Sequence, residues 1–212
     1  MRTERKSIST PHTRARPVYD RLAAHYERVI GPLERRWLGR LRAELLGEMP
    51  ARARLLEVGA GTGLNFRHYP RGACGVASEL SREMLLIARD KPERPDGVRL
   101  VQARAEQLPF ADGAFDAAFA TLVFCSVASP AQGFAELRRV VRPGGTVALL
   151  EHVRPAGLLG HAFDALSLLT VPLFDDHFNR RTAEEASRAG LTLRRVENHL
   201  RGVVQLIVCG VS

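Results

Sequence analysis

The sequence predicts an α/β domain built on a parallel sheet. Three observations carry that prediction: short apolar runs alternate with amphipathic stretches, a glycine-rich turn directly follows the first apolar run, and a carboxylate ends the second. With 212 residues, 45% of them apolar, the chain has enough material for one such unit. No uncharged apolar run is long enough for a transmembrane helix, and the basic N-terminus lacks the apolar stretch of a signal peptide.

Met1 to about Pro17 shows no sustained periodicity and is expected to be a disordered basic arm, with a single domain over 18–212. From Val18 the pattern turns helical: Leu22, Tyr26, Val29, Ile30, Leu33, Trp37, Leu41 and Leu45 recur at three- and four-residue steps. Gly31-Pro32 is expected to divide this run into two helices that cap the cleft or lie on a surface. Candidate strands follow at Arg54–Val58, Ala73–Ser78, Val98–Gln102, Ala114–Thr121, Thr146–His152, Thr192–Asn198 and Val203–Val211. Ser81–Arg89 and Pro130–Val141 read as helices, the second ending before Arg142-Pro143-Gly144-Gly145. Ala156–Phe174, broken only by His161 and Asp164, reads as an apolar helix, either buried core or a lid over the cleft mouth.

The turn after the first strand is the richest stretch. Gly59, Gly61 and Gly63 fall at alternate positions, and residues without Cβ let a ligand lie directly on main-chain N–H groups. Leu64 stands where a dinucleotide fingerprint wants its last glycine or alanine, so a nicotinamide or flavin oxidoreductase is the poorer reading. Glu79, at the end of the second strand, is placed to accept the hydroxyls of a ribose.

Glu57-x-Gly59-x-Gly61-x-Gly63, Glu79, Ala105-Glu106-Gln107-Leu108-Pro109-Phe110, Phe115-Asp116 and Arg142-Pro143-Gly144-Gly145, in this order, resemble the class I S-adenosylmethionine-dependent methyltransferases. The resemblance runs from about Tyr19 to the C-terminus. It implies a Rossmann-like, seven-stranded, mostly parallel sheet with helices on both faces and an antiparallel seventh strand. It also implies S-adenosylmethionine as cofactor, with its methionine portion on Gly59, Ala60, Gly61 and Gly63, its ribose on Glu79 and its adenine near Leu80, Arg104, Ala105 and Glu106. Glu57, Thr121 and Tyr26 complete the cofactor-binding set so implied. Many relatives carry an acidic residue where this chain has Arg104. Tyr19 and Tyr26 resemble an N-terminal motif that covers the cofactor, and Tyr19 joins His152 and His177 as a candidate for the chemistry. Asp116 reads more simply as a turn or capping residue.

Methyl transfer from a sulfonium needs the nucleophile aligned with the S–CH3 bond. A base helps when the nucleophile must first lose a proton. Among the family's branches, the Tyr19 motif and Asn179-Arg180 resemble phosphatidylethanolamine N-methyltransferases and quinone C-methyltransferases. Thr121–Val127 and Glu151-His152-Val153 also resemble thiol methyltransferases. The expected acceptor is therefore small or amphiphilic, with a phospholipid amine as first reading and a quinone or thiol as the alternative.

Charge is uneven. Thirteen Lys or Arg stand against six Asp or Glu through Arg54, and eighteen against seventeen in the remainder. The basic N-terminal region is either a set of solvated helix faces or a contact for an anionic membrane. Without an aromatic-rich recognition motif, nucleic acid is not the expected partner. Cys74, Cys125 and Cys209 lie in apolar runs without metal spacing, as expected of reduced, buried thiols in a cytoplasmic protein that sits at most on the periphery of a membrane.

Overall fold

The computed structural model describes residues 15–155, 157 and 180–212. Most of the basic arm, the apolar segment apart from Gly157, and His177 and Asn179 therefore lie outside the described residues. Seven strands form one sheet: β1 (Arg54–Val58), β2 (Cys74–Glu79), β3 (Val98–Gln102), β4 (Phe115–Thr121), β5 (Val141–His152), β6 (Thr192–His199) and β7 (Val204–Gly210). Their order is β3-β2-β1-β4-β5-β7-β6, and β7 runs antiparallel to both of its neighbours. α1 (Ala15–Leu33) and α2 (Gly39–Gly47) precede β1, α3 (Arg82–Arg89) crosses from β2 to β3, α4 (Pro130–Val140) from β4 to β5, and α5 (Thr182–Arg188) precedes β6.

Side-chain alternation along the central strands divides the core between two faces. Leu55, Phe119, Ala148, Leu150 and Leu206 pack with Leu41, Leu45 and Leu46 of α2. Leu56, Ala118, Ala120, Leu149 and Ile207 pack on the other face with Phe134 and Leu137 of α4 and Ala186 of α5. After β3 the chain returns to the far side of β1, so the strand order reverses between β1 and β4. A crevice opens there beyond the carboxyl ends of the strands, where Val58, Glu79 and Thr121 lie.

Several boundaries differ from expectation. α1 starts at Ala15, so residues 15–17 belong to the helix and not to the arm. α1 also runs through Gly31-Pro32 to Leu33 and passes directly into a π-helical turn, Glu34–Leu38, before α2. Pro32 has no N–H for the carbonyl of the preceding turn, and in the π turn beyond it Gly39 N–H donates to Glu34 O. β5 begins at Val141 instead of Thr146, because Val141 pairs with Phe115 ahead of an irregularity in the β4–β5 register. α5 has no counterpart in the sequence reading. Cys74 is exposed, while Cys125 and Cys209 are buried.

A buried polar network fastens α2 to the crevice. Leu38, Leu41, Leu45 and Leu46 form the inward stripe of this region, and Arg42 shares it. Its guanidinium donates to Glu34 Oε2, to Asn65 Oδ1 and to Thr121 Oγ1. Asn65 Nδ2 donates in turn to Thr121 Oγ1 and to Glu57 Oε1, and Tyr69 O–H donates to Glu57 Oε2 at 2.7 Å. Burial raises the Glu57 carboxyl above its ordinary range, although Tyr69, Asn65 and the Arg42 charge pull the other way. Burial, and then Glu57 itself, holds the Tyr69 phenol well above its ordinary value, so it remains the donor.

At the opposite end of the sheet, Asp116 joins three strands: its Oδ2 accepts from Arg54 N–H and its Oδ1 from Arg142 Nε–H. The Arg54 bond, then the Arg142 bond, lowers its pKa.

Arg42→Ala leaves buried acceptors unpaired and is predicted to lower stability by about 3–5 kcal/mol, the usual cost of breaking a buried charged pair; urea unfolding measures it, and a loss below about 1 kcal/mol counts against the network as a clamp. Asp116→Ala is predicted to cost only about 1 kcal/mol, since solvent screens this half-exposed site. Because the folded pKa is depressed, that contribution is present above the unfolded carboxylate value and disappears as pH falls through the folded one. Wild-type and variant unfolding midpoints should therefore converge in acid.

Candidate functional site

The crevice is walled on one side by the turn that follows β1. Gly59, Gly61 and Gly63 have φ of +70°, +56° and +83°, a region that side chains disfavour. Space separates their roles. A Cβ on Gly59 would stand 2.3 Å from Val123 Cγ2, and one on Gly63 2.4 Å from the Phe66 ring. A Cβ on Gly61 would meet nothing within 4 Å, because that position faces the open cleft. The turn is held to β2 by Ala60 N–H donating to Ser78 O at 2.9 Å.

Glu79 ends β2 at the cleft wall. Its Oε2 accepts from Gly61 N–H at 2.9 Å and its Oε1 from Ser81 N–H at 2.8 Å, so the carboxylate fixes both the glycine turn and the entry to α3. Burial nevertheless raises its pKa, against the backbone bonds from Ser81 and Gly61.

α1 closes one flank. Asp20 accepts a hydrogen bond from the hydroxyl of Ser81, which also caps α3 by accepting from Met84 N–H. Further along α1, Glu27 pairs with Lys91 at 2.7 Å. Between these two fastenings Tyr26 faces the cleft, as does Tyr19 at the start of the contact. Burial pushes the Tyr26 phenol up to about 12. Arg42 reaches the wall from α2 beside Thr121.

The remaining rim is built by two carboxylates that accept backbone N–H groups. Glu106 Oε1 accepts from Ala128 and Ser129 ahead of α4. Glu151, fully buried near the end of β5, accepts from Val123 and Phe124 N–H. That grip accompanies a left-handed Leu122, at φ +57°, whose N–H donates to Leu150 O. Arg180 donates to Val127 O at the same rim.

Of the residues expected at a cofactor site, Tyr19, Tyr26, Gly59, Ala60, Gly61, Glu79, Leu80, Ala105, Glu106 and Thr121 line one cleft, which encloses about 840 Å³ including its open mouth. Four do not. Glu57 lies behind the turn, both oxygens engaged by Asn65 and Tyr69. Gly63 packs on Phe66. Arg104 turns from the cleft to pair with Glu106 at 3.8 Å. His152, the last residue of β5, is not among the described residues that line the cleft. His177 lies outside the described residues. Arg42, Met84, Leu122, Val123 and Ser126 line the cleft without having been anticipated. Arg42 alone had a visible signal: it occupies an inward position, four residues from Leu38, on an otherwise apolar stripe.

Comparison with known proteins agrees with this geometry. Residues 56–149 match the methyltransferase domain family. The ubiquinone/menaquinone biosynthesis C-methyltransferase UbiE of Hahella chejuensis is 30% identical over 183 residues, covering 74% of each chain. Human thiol S-methyltransferase TMT1B is 40% identical over 103 residues, covering 47% of this chain and 42% of that one. The chain thus spans under half the length of the human relative and about three quarters of the bacterial one. Among solved structures, a SAM-dependent methyltransferase from Thermotoga maritima superposes with a TM-score of 0.73 at 21% identity, covering 93% of this chain and all of that one, and shares the fold. With its strand order, its glycine turn beside Glu79 and a relative matched along three quarters of both lengths, the chain belongs to the class I S-adenosylmethionine-dependent methyltransferases.

Proposed function

We propose that the protein transfers the methyl group of S-adenosylmethionine to a small amphiphilic acceptor in the cleft between the glycine turn and α1. The observation that carries this reading is the bond between Glu79 and Gly61: the carboxylate suited to a ribose also holds the one glycine of the turn that faces open space. In this reading the Glu79 carboxylate takes the ribose hydroxyls, Gly61 lets the cofactor lie against the main chain, and Leu80, Ala105 and Glu106 border the adenine. Arg42 offers a buried positive charge to a carboxylate at the methionine end. S-adenosylmethionine, when bound, supplies an electrophilic methyl group on a sulfonium.

Protein residues then have to hold the acceptor in line and keep water away, and such positioning is worth roughly 7–11 kcal/mol of barrier. Val58, Leu64, Met84, Leu122, Val123 and Val127 give the cleft an apolar lining. Tyr26, protonated at neutral pH, acts as a donor and not as a base. An ammonium, a phenol and a thiol must each give up a proton on methyl transfer, and a protonated Tyr26 does not take it. The acceptor we favour is a hydroquinone-type ring, supported by the C-methyltransferase matched over 74% of both chains. A thiol is the second reading, supported by the human S-methyltransferase. The phospholipid amine drew its support from the Tyr19 motif, Asn179-Arg180, the basic N-terminal helix and the apolar segment, of which Asn179 and the segment lie outside the described residues, and the relatives matched above are named for other acceptors.

Glu79→Ala is predicted to weaken S-adenosylhomocysteine binding by about 1–3 kcal/mol in calorimetry, the cost of losing buried hydrogen-bond partners; unchanged affinity refutes the ribose assignment. Transfer from radiolabelled S-adenosylmethionine, run in parallel on a demethylated hydroquinone, an alkyl thiol and phosphatidylethanolamine vesicles, is expected to label the hydroquinone. Label confined to the thiol favours the second reading, and label confined to the phospholipid overturns both while leaving the donor assignment intact.

A further inference from the structure

Charges on the N-terminal helices are sorted by sign. The acidic residues of α1 and the π turn hold partners: Asp20 binds Ser81, Glu27 binds Lys91 and Glu34 binds Arg42. Arg21, Arg28, Arg35, Arg36 and Arg40 are all exposed. Among these arginines runs an apolar ridge, Val29, Leu33 and Trp37, spaced four residues apart and 72%, 44% and 42% exposed. The three head the exposed large apolar side chains of the described residues, and the other two, Leu193 and Val196, lie on β6. Pro32 is exposed beside Leu33, and the Arg36 guanidinium lies 5.6 Å over the Trp37 ring.

We propose that this face of α1 and the π turn is a docking surface for an anionic lipid bilayer. An apolar ridge with an aromatic at one end enters the boundary between headgroups and acyl chains, while flanking arginines extend their apolar stems and keep the guanidinium groups at the phosphates. Charge complementarity selects the occupant. A second copy of this chain would oppose arginine to arginine, and nucleic acid would gain nothing from the apolar ridge. Of the acids of α1 and the π turn, Glu27 and Glu34 are paired with cations, and Glu44 of α2 stands beside Arg40 and Trp37. Tyr26 faces the cleft from the inner side of the same helix, so docking would hold the cleft wall close to a lipid-dissolved acceptor. The docking itself stands apart from the identity of that acceptor.

Trp37 is the chain's single tryptophan and reports its own surroundings. The full chain is mixed with phosphatidylcholine vesicles, with or without about one third phosphatidylglycerol, while tryptophan emission and co-flotation are recorded. Anionic vesicles are expected to float the protein and shift Trp37 emission to the blue, with little of either on neutral vesicles. Arg28→Gln, Arg36→Gln and Arg40→Gln together should reduce partitioning about a hundredfold, as roughly 1 kcal/mol per basic residue at the surface implies. Val29→Ser with Leu33→Ser should abolish the blue shift, while S-adenosylhomocysteine affinity, set by the cleft, stays unchanged. Flotation without a blue shift places binding on the residues before Ala15 and overturns the proposal. So does a ridge buried in a dimer, seen as a blue-shifted Trp37 and a doubled mass without vesicles. Binding to duplex DNA or RNA that survives loss of Val29 and Leu33, with no affinity for vesicles, also overturns it.

Discussion

The cleft depends on one guanidinium being satisfied away from water. Arg42 reaches past the inward leucines of α2 to Glu34 of the π turn, Asn65 after the glycine turn and Thr121 at the end of β4. Desolvating that charge is expensive, and the cost is met only while every acceptor stays in place. Asn65 is shared between Thr121 and Glu57, and Glu57 is shared with Tyr69, so displacement of any member disturbs the rest. The N-terminal helices are for this reason part of the crevice's foundation, although they precede the first strand and carry two of its flanking tyrosines.

A recurrent device completes the site: a buried or half-buried carboxylate accepts backbone N–H groups and thereby shapes a loop. Glu79 fixes the glycine turn, Glu106 the residues before α4, and Glu151 the bend at Leu122. Peptide N–H groups at strand ends need acceptors once water is excluded, and carboxylates provide strong ones. Acidic side chains around the crevice thus do structural and recognition work together.

What the sequence revealed and what it hid divide along local and non-local physics. β1 and β3 lie where their apolar runs end at turn residues, and the glycine turn and Glu79 were legible from spacing alone. Arg42, Asn65 and Tyr69 were missed as a group, since nothing in a linear pattern says that three distant polar residues meet. Glu57 could be read as a cofactor residue or as a brace of the glycine loop because its place beside the glycines was visible, while its partners Asn65 and Tyr69 were not. His152 was read as a cleft residue from its place at the end of a strand, while the described lining at that rim comes from Thr121, Leu122 and Val123, at and just after the end of β4. Gly31-Pro32 failed as a break: Pro32 lies inside α1, and the change of helical pattern comes only at the π turn Glu34–Leu38. The tally of N-terminal charge was correct, yet only the fold shows that Asp20, Glu27 and Glu34 hold partners while Arg21, Arg28, Arg35, Arg36 and Arg40 lie exposed.

The glycine turn also bears on how such motifs are weighed as evidence. Of its three glycines, Gly59 leaves room for Val123 and Gly63 for Phe66, and only Gly61 leaves room for something outside the chain. Two of the three would thus be required by a descendant of this fold that had lost every ligand, provided it kept its loop packing. A glycine triplet in an α/β sequence therefore testifies first to how tightly a strand hands over to its helix. The single position whose missing side chain opens onto solvent is the one that speaks of binding.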